Sequence, residues 1–315
     1  MRIIFFGTPQ FAVPSLRALV TGGLDVAGVV TQPDRPRGRS RSRLIASPIK
    51  SMAEDLGLPV YQPDRPVGDV FEQTVRRLQS EIGVVVAYGH ILRPEILAVP
   101  RLGMINVHAS LLPKLRGPAP IQWSILNGDE ETGISIMQME AGLDSGPVIH
   151  RARAPVQADE TAGELTERLA ALGASTLVEA LQLIEEGKAP AVVQDHGAAT
   201  YAPKIDHAAC RLNWNDTATQ CARVIRAFDP DPGAWSMLRG TEVKFFGSRK
   251  ASLLDTGSRQ EGAAPGTVLQ AGERLAVAAG DGPVLIREAQ PAGRRRMAAA
   301  DWVRGRGAGP GDRFE

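Results

Sequence analysis

Five short apolar runs, RIIFFG, VAGVVT, GVVVAYG, MINVHAS and ISIMQM, punctuate the first two-thirds of the chain. Their length and β-branched content are those of strands buried on both faces. Between them lie segments patterned as helices, PSLRALVTG, SPIKSMAEDLG, VFEQTVRRLQSE and APIQWSILNG. Strands that alternate with helices pack compactly as a parallel sheet covered by helices on both faces. A longer helix is predicted over roughly 161–187. Thr161 opens it with Glu164 three residues on, the spacing of a capping box, and Gly187 closes it.

The texture changes at 188. KAPAVVQDHGAATYAPKIDHAAC mixes prolines, glycines and isolated polar residues and reads as a linker. After one further helix, at about 216–227, residues 233–292 hold short runs with Gly-rich turns: GAWSML, VKFFGS, GTVLQA, LAVAAGDG and VLIREAQ. That is the pattern of a small β-sandwich or barrel. The closing GAGPGDRFE is expected to fray. A length of 315 residues suits two domains. The expected division is 1–189 and 207–315, joined by a linker at 190–206.

With 43% hydrophobic and 23% charged residues, the core is large enough to need no disulfide or metal staple. The two cysteines, Cys210 and Cys221, form no CxxC pair, which fits a reducing compartment. The apolar start MRIIFF is too brief for a signal peptide, and no segment approaches the ~20 apolar residues of a membrane span. The expectation is a cytoplasmic monomer without membrane contact. Net charge is +1, unevenly divided. Residues 1–206 carry 20 Lys and Arg against 23 Asp and Glu, and residues 207–315 carry 16 against 12. The mild basic excess hints at an anionic partner for the C-terminal part, although ordinary solvated charge explains it equally well.

Asn106 and His108 alternate with Ile105 and Val107, so an extended strand aims both polar side chains at one face. A lone histidine at a strand end more often serves structure. Beside an amide, it forms a pair of donors suited to stabilising oxygen charge in acyl transfer. Asp144 lies between Gly142 and Gly146 after an apolar run, where a tight loop could return it to His108. There it could keep the imidazole charged and accept a proton from an attacking amine, or it could simply be a turn residue. Ser110 lies near His108 but has no GxSxG elbow, so a serine nucleophile is not indicated. GTPQFAVP after the first strand lacks the GxGxxG of a dinucleotide site. The five histidines show no metal-ligand spacing, so no metal is expected.

PDRPRGRSRSRL places Arg35, Arg37, Arg39, Arg41 and Arg43 at every second position, with no acid between Asp34 and Glu54. Charge runs are usually solvated surface, but like charges on a Pro/Gly/Ser frame also suit a polyanion. Arg294, Arg295 and Arg296 form a second basic cluster.

Taken in order, FGTPQFAVPSL, TQPDRPRGR, VVVAYGHIL, NVHASLLPKLRGPAPI and MEAGLDSGP resemble the methionyl-tRNA formyltransferases. YAPKI, IRAFDPDPGAW and QPAGRRRM resemble the C-terminal domain of that family, so the likeness spans nearly the whole chain. The resemblance implies an α/β chain with an N-terminal Rossmann-like formyltransferase domain and a C-terminal OB-like β-barrel. It implies 10-formyltetrahydrofolate as co-substrate and the α-amino group of initiator methionyl-tRNA as acceptor. Asn106 and His108 would hold the formyl oxygen, and Asp144 would keep His108 protonated and help deprotonate the amine. Ser110, Leu111, Leu112 and Pro113 match the folate-binding SLLP. The family's basic insertion loop corresponds to roughly 34–49, which assigns tRNA contacts to Arg37, Arg39, Arg41 and Arg43. The basic cluster Arg294, Arg295 and Arg296 joins them as a candidate second contact. Two positions depart from the family pattern. Arg-Ser repeats stand where lysines are common, and Asp231 stands where an aromatic is common.

Other readings use the same residues. A folate-dependent N-formyltransferase acting on an amino-sugar nucleotide or a purine precursor would share Asn106, His108 and Asp144 but would not need the arginine segment. A hydrolase releasing formate would replace the amine by water. A non-enzymatic RNA-binding protein would leave NVHASLLP and GLDSG without a purpose.

Overall fold

The computed structural model describes residues 1–37, 43–251 and 262–315. By its contacts the chain forms two compact units. Residues 1–120, 131–155 and 166–202 make the first, and 121–130, 156–165 and 203–315 the second.

The strands of the first unit are β1 (Arg2–Gly7), β2 (Asp25–Val30), β3 (Arg35–Arg37), β4 (Arg43–Ile45), β5 (Val60–Tyr61), β6 (Ile82–Val86), β7 (Met104–His108), β8 (Glu131–Gln138) and β9 (Val148–Pro155). Seven of them form one sheet in the order β5-β2-β1-β6-β7-β8-β9, and β3 and β4 make a separate hairpin. The β1, β2, β5, β6 and β7 pairings are parallel. Ile3, Ile4, Phe5 and Phe6 on β1 are all fully buried, as the unbroken apolar run requires of a strand covered on both faces. The unit is therefore a mostly parallel, Rossmann-like α/β layer. The run ISIMQM differs from the parallel expectation, because β8 is antiparallel to β7 and to β9. A parallel pair needs a crossover that returns the chain to its starting end. The connection between β7 and β8 makes no such return, since β8 enters the sheet beside His108, with Ser135 opposite it. As a result β8 and β9 are joined by a hairpin loop, 139–147, closed by Gln138 N–H donating to the Pro147 carbonyl.

Helices α1 (Val13–Thr21), α2 (Pro48–Asp55), α3 (Asp69–Arg77) and α5 (Pro120–Asn127) follow the sequence pattern, and the short α4 (Pro94–Leu97) lies outside it. The long helix α6 spans Ala162–Glu185. Its capping box forms as expected, with Glu164 N–H donating to Thr161 Oγ1 and the Glu164 carboxylate accepting from Thr161 N–H. Gly173 on α6 comes so close to Val107 and Ile134 that a Cβ there would lie 3.1 Å from Val107 Cγ1. The Ile105/Val107 face of β7 is thus covered by α6, and the Asn106/His108 face is the opposite one.

In the second unit α7 (Ala218–Ala227) begins with a Thr217–Gln220 capping box. Strands β10 (Ala234–Leu238), β11 (Thr241–Lys250), β12 (Val268–Ala271), β13 (Leu275–Ala279) and β14 (Gly282–Pro291) form an antiparallel sheet in the order β10-β11-β14-β13-β12. The short β15 (Met297–Ala298) pairs with β14. Residues 311–315 are not frayed, contrary to the sequence expectation. Gly311 and Phe314 N–H donate to Val268 and Gly266 carbonyls on the β12 side, while Glu315 N–H donates to Met237 on β10. The tail thereby bonds to both edge strands and closes the sheet towards a barrel. Phe314 is 2% exposed, with its ring 5.0 Å from Phe245, 5.9 Å from Trp214 and 6.4 Å from Trp302. A Gly-rich sequence hides this, since the pairing comes from backbone groups and one aromatic anchor.

Phe314→Ala should lower stability by about 3–5 kcal/mol, the usual cost of emptying a buried aromatic site. Urea unfolding followed by the fluorescence of Trp214 and Trp302 measures it, and a fraying tail would give no change.

Candidate active site

The C-terminal end of β7 presents Asn106 and His108 on one face. Asn106 is half-buried, and among the described residues its side-chain amide has no hydrogen-bond partner. His108 is 5% exposed, and its Nε2 lies 2.9 Å from the Leu115 carbonyl. A carbonyl only accepts, so Nε2 carries a proton and the Nδ1 edge remains for other partners. Asp144 Oδ2 stands 3.7 Å from that Nδ1. The gap is too long for a direct hydrogen bond but lets both groups meet one substrate centre.

Asp144 sits in the β8–β9 hairpin loop, where Gln138 and Pro147 close the neck. Its Oδ2 accepts from Gly117 N–H at 2.8 Å. Asp144 (φ 47) and Leu115 (φ 58) both adopt left-handed backbone conformations. Such conformations cost non-glycine residues on the order of 1 kcal/mol and persist where surrounding contacts enforce them. Gly117 has φ 122, and a Cβ on it would lie 2.7 Å from the Ala202 carbonyl. Only glycine lets this backbone pass so close and still deliver its N–H to Asp144. The segment 115–119 is held in turn by 200–202. Leu115 N–H donates to Thr200 Oγ1, Arg116 N–H to the Thr200 carbonyl, and Ala202 N–H to the Arg116 carbonyl.

The SLLP residues begin two positions after His108, and two of the four do internal work. Ser110 is buried, and its hydroxyl donates to the Lys114 carbonyl at 2.6 Å. Leu112 packs against Met137 and Val148. Leu111 and Pro113 remain half-exposed, the two apolar side chains of the motif open to a neighbouring molecule.

The arginine segment is a hairpin with Arg37 opposite Arg43 and Arg35 opposite Ile45. Arg39 and Arg41 lie outside the described residues. The base of the hairpin is braced on both sides. Lys50 Nζ donates to Asp34 at 2.6 Å, Gln62 to the same carboxylate at 2.8 Å, and Thr31 shares a hydroxyl hydrogen bond with Ser47. The Lys50 hydrogen bond, followed by that from Gln62, holds the Asp34 carboxyl below its ordinary range. In the second unit Arg294 and Arg295 are exposed. Arg296 differs: its guanidinium pairs with Asp229 and Glu288 and lies 4.1 Å over the Phe246 ring. Those partners commit Arg296 to the fold. Asp231 is exposed, so the absence of an aromatic there leaves no buried void.

Burial pushes the thiols of Cys210 up to about 11 and of Cys221 up to about 12, so neither is a thiolate near neutrality. Among the described residues no three His, Cys, Asp or Glu side chains converge as a ligand set. No described helix is long and apolar enough to cross a membrane. Sequence reasoning missed the Leu115 carbonyl, the Gly117 N–H, Arg116, Gln194 and Thr200. Backbone groups carry no residue signature. Gln194 and Thr200 sat in a stretch that reads as linker.

A family profile described as formyl transferase matches residues 1–181, and one described as formyl transferase, C-terminal domain, matches 204–307. Among solved structures, HypX from Aquifex aeolicus in complex with tetrahydrofolic acid aligns with a TM-score of 0.64 at 18% identity, covering 96% of this chain and 47% of HypX. This chain thus spans about half the length of HypX. An N-formyltransferase from Helicobacter canadensis, in complex with folinic acid and dTDP-3-aminofucose, aligns at 0.68 and 17% identity over 94% of this chain and 99% of that one. Glycinamide ribonucleotide transformylase 1 from Symbiobacterium toebii aligns at 0.51 and 23% identity over 62% of this chain and 93% of that one. At these identities the structural likeness is one of fold. The family rests on the profile that matches more than half of the sequence, on the strands and loops that carry Asn106, His108 and Asp144: the chain belongs to the formyl transferase family.

Proposed function

We propose that this protein transfers the formyl group of 10-formyltetrahydrofolate to the α-amino group of methionine on initiator methionyl-tRNA. The observation that carries the chemistry is the convergence of an unpartnered Asn106 amide, the Nδ1 edge of His108 and the Asp144 carboxylate. The folate supplies an activated formyl group. Asn106 N–H and a proton on His108 Nδ1 are donors for the formyl oxygen as it gains negative charge. Asp144, fixed by Gly117 N–H, faces the same centre and can take the proton that the attacking amine loses. Leu111 and Pro113 offer apolar surface beside this point for the co-substrate.

The acceptor is the finer part of the reading. Arginines on the braced strands 35–37 and 43–45 favour an RNA acceptor, which offers phosphates and unpaired bases to a guanidinium. The relatives favour a second reading: one aligned structure carries dTDP-3-aminofucose, and another is a glycinamide ribonucleotide transformylase. Competition decides between them. With 10-formyltetrahydrofolate as donor, methionyl-tRNA should be formylated in preference to a dTDP-amino sugar or glycinamide ribonucleotide. Preference for either small acceptor would remove the tRNA reading and keep formyl transfer.

Single alanine substitutions of Asn106, His108 and Asp144 should each lower kcat by ~10²-fold or more, and paired substitutions should cost far less than the product of the singles. Steady-state rates measure this, and strictly multiplicative losses would separate the three residues.

Replacing Arg39, Arg41 and Arg43 together by alanine should raise the KM for methionyl-tRNA by about 10-fold or more, with folate binding unchanged. The log–log salt slope of tRNA binding should become shallower by about two to three. An unchanged KM and slope would leave the hairpin as solvated surface.

A further inference from the structure

We propose that Gln194 is a positioning residue for Asp144, held in place by the buried guanidinium of Arg116. The inference rests on the reading of Asp144 as a participant in formyl transfer. Gln194 is 3% exposed, and its Nε2 donates to the Asp144 carbonyl at 2.9 Å and the Gly146 carbonyl at 2.7 Å. One amide therefore grips the turn on both sides of Ser145. Its Oε1 accepts from Arg116 Nε at 3.1 Å and Nη2 at 2.7 Å. The orientation of the amide follows from chemistry, since a guanidinium only donates and a carbonyl only accepts.

Arg116 is 4% exposed, and among the described residues no carboxylate lies within ion-pair distance of it. Its partners are neutral: Gln194 and, at 3.3 Å from both terminal nitrogens, His196 Nδ1. Burying a cation among neutral partners is costly, and an apolar residue would serve packing alone at least as well. What the guanidinium secures is the Gln194 amide. The adjoining residues act on the same centre. The Leu115 carbonyl takes the Nε2 proton of His108, and Gly117 N–H binds the Asp144 carboxylate. Three consecutive residues thus fix His108, the carboxylate of Asp144 and, through Gln194, the backbone of Asp144. The 3.7 Å separation of His108 and Asp144 is set by this shared reference. A left-handed Asp144 needs such over-determination to stay in place.

Gln194→Glu keeps an acceptor for Arg116 and removes both donors to the loop. Formyl transfer from 10-formyltetrahydrofolate to methionyl-tRNA should fall about 10- to 100-fold in kcat, with the KM for the folate within about 2-fold. In an Asp144→Asn background the same change should cost less than about 2-fold, because a residue acting through Asp144 has nothing left to position. General destabilisation would multiply instead. If Gln194→Glu fails to fold, Gln194→Met, close in shape and without donors, carries the same expectation. A second arm needs no acceptor: hydrogen exchange of the Gly117 amide should accelerate about 10-fold or more in the variant, while β1 amides stay protected. Unchanged Gly117 exchange, a wild-type kcat, or losses that multiply with Asp144→Asn would each overturn the proposal. A wild-type enzyme that does not formylate methionyl-tRNA would instead sink the proposed acceptor, with the exchange arm still deciding the positioning.

Discussion

The hydrogen bond from Gly117 N–H to the Asp144 carboxylate is the contact on which the rest of the site depends. It requires a backbone that passes within van der Waals distance of the Ala202 carbonyl, so residue 117 has to lack a side chain. That close passage brings Leu115 beside His108 and buries Arg116 beside Gln194. A loop after one strand, a hairpin between two others and a segment some 80 residues further on therefore meet through backbone groups and a few polar side chains.

The sheet supplies the platform. Parallel strands leave their carboxyl ends open for ligands, and β7 ends in His108 at that edge. The reversal at β8 then matters, because antiparallel β8 ends beside Ile105 at the amino end of β7, and the 139–147 loop folds back to bring Asp144 within 3.7 Å of His108. A helical crossover there would have carried Asp144 elsewhere. The strained conformations at Leu115 and Asp144 lie at this junction, where neighbouring contacts are dense enough to hold them.

The second unit solves a different problem. An open antiparallel sheet exposes two edges, and here residues 311–315 bond to both β10 and β12 while Phe314 enters the aromatic core. Its arginines divide by role. Arg296 stabilises the unit through Asp229, Glu288 and the Phe246 ring, and Arg294 and Arg295 are exposed to solvent.

Periodicity and local chemistry by themselves determined the alternation of strands and helices, the Thr161–Glu164 capping box and the placement of Asn106 and His108 on one face of a strand. These depend on residues a few positions apart, and the side-chain types state them directly. The GLDSG loop was legible as a tight turn. Only the tertiary structure decided that β8 runs antiparallel, because strand direction depends on where the intervening chain travels. It also decided that GAGPGDRFE closes a sheet, that Arg296 is spent on two carboxylates, and that Gln194 and Thr200 belong beside the loops that carry Leu115 and Asp144. Those outcomes rest on contacts between distant residues and on backbone donors and acceptors that every residue carries alike.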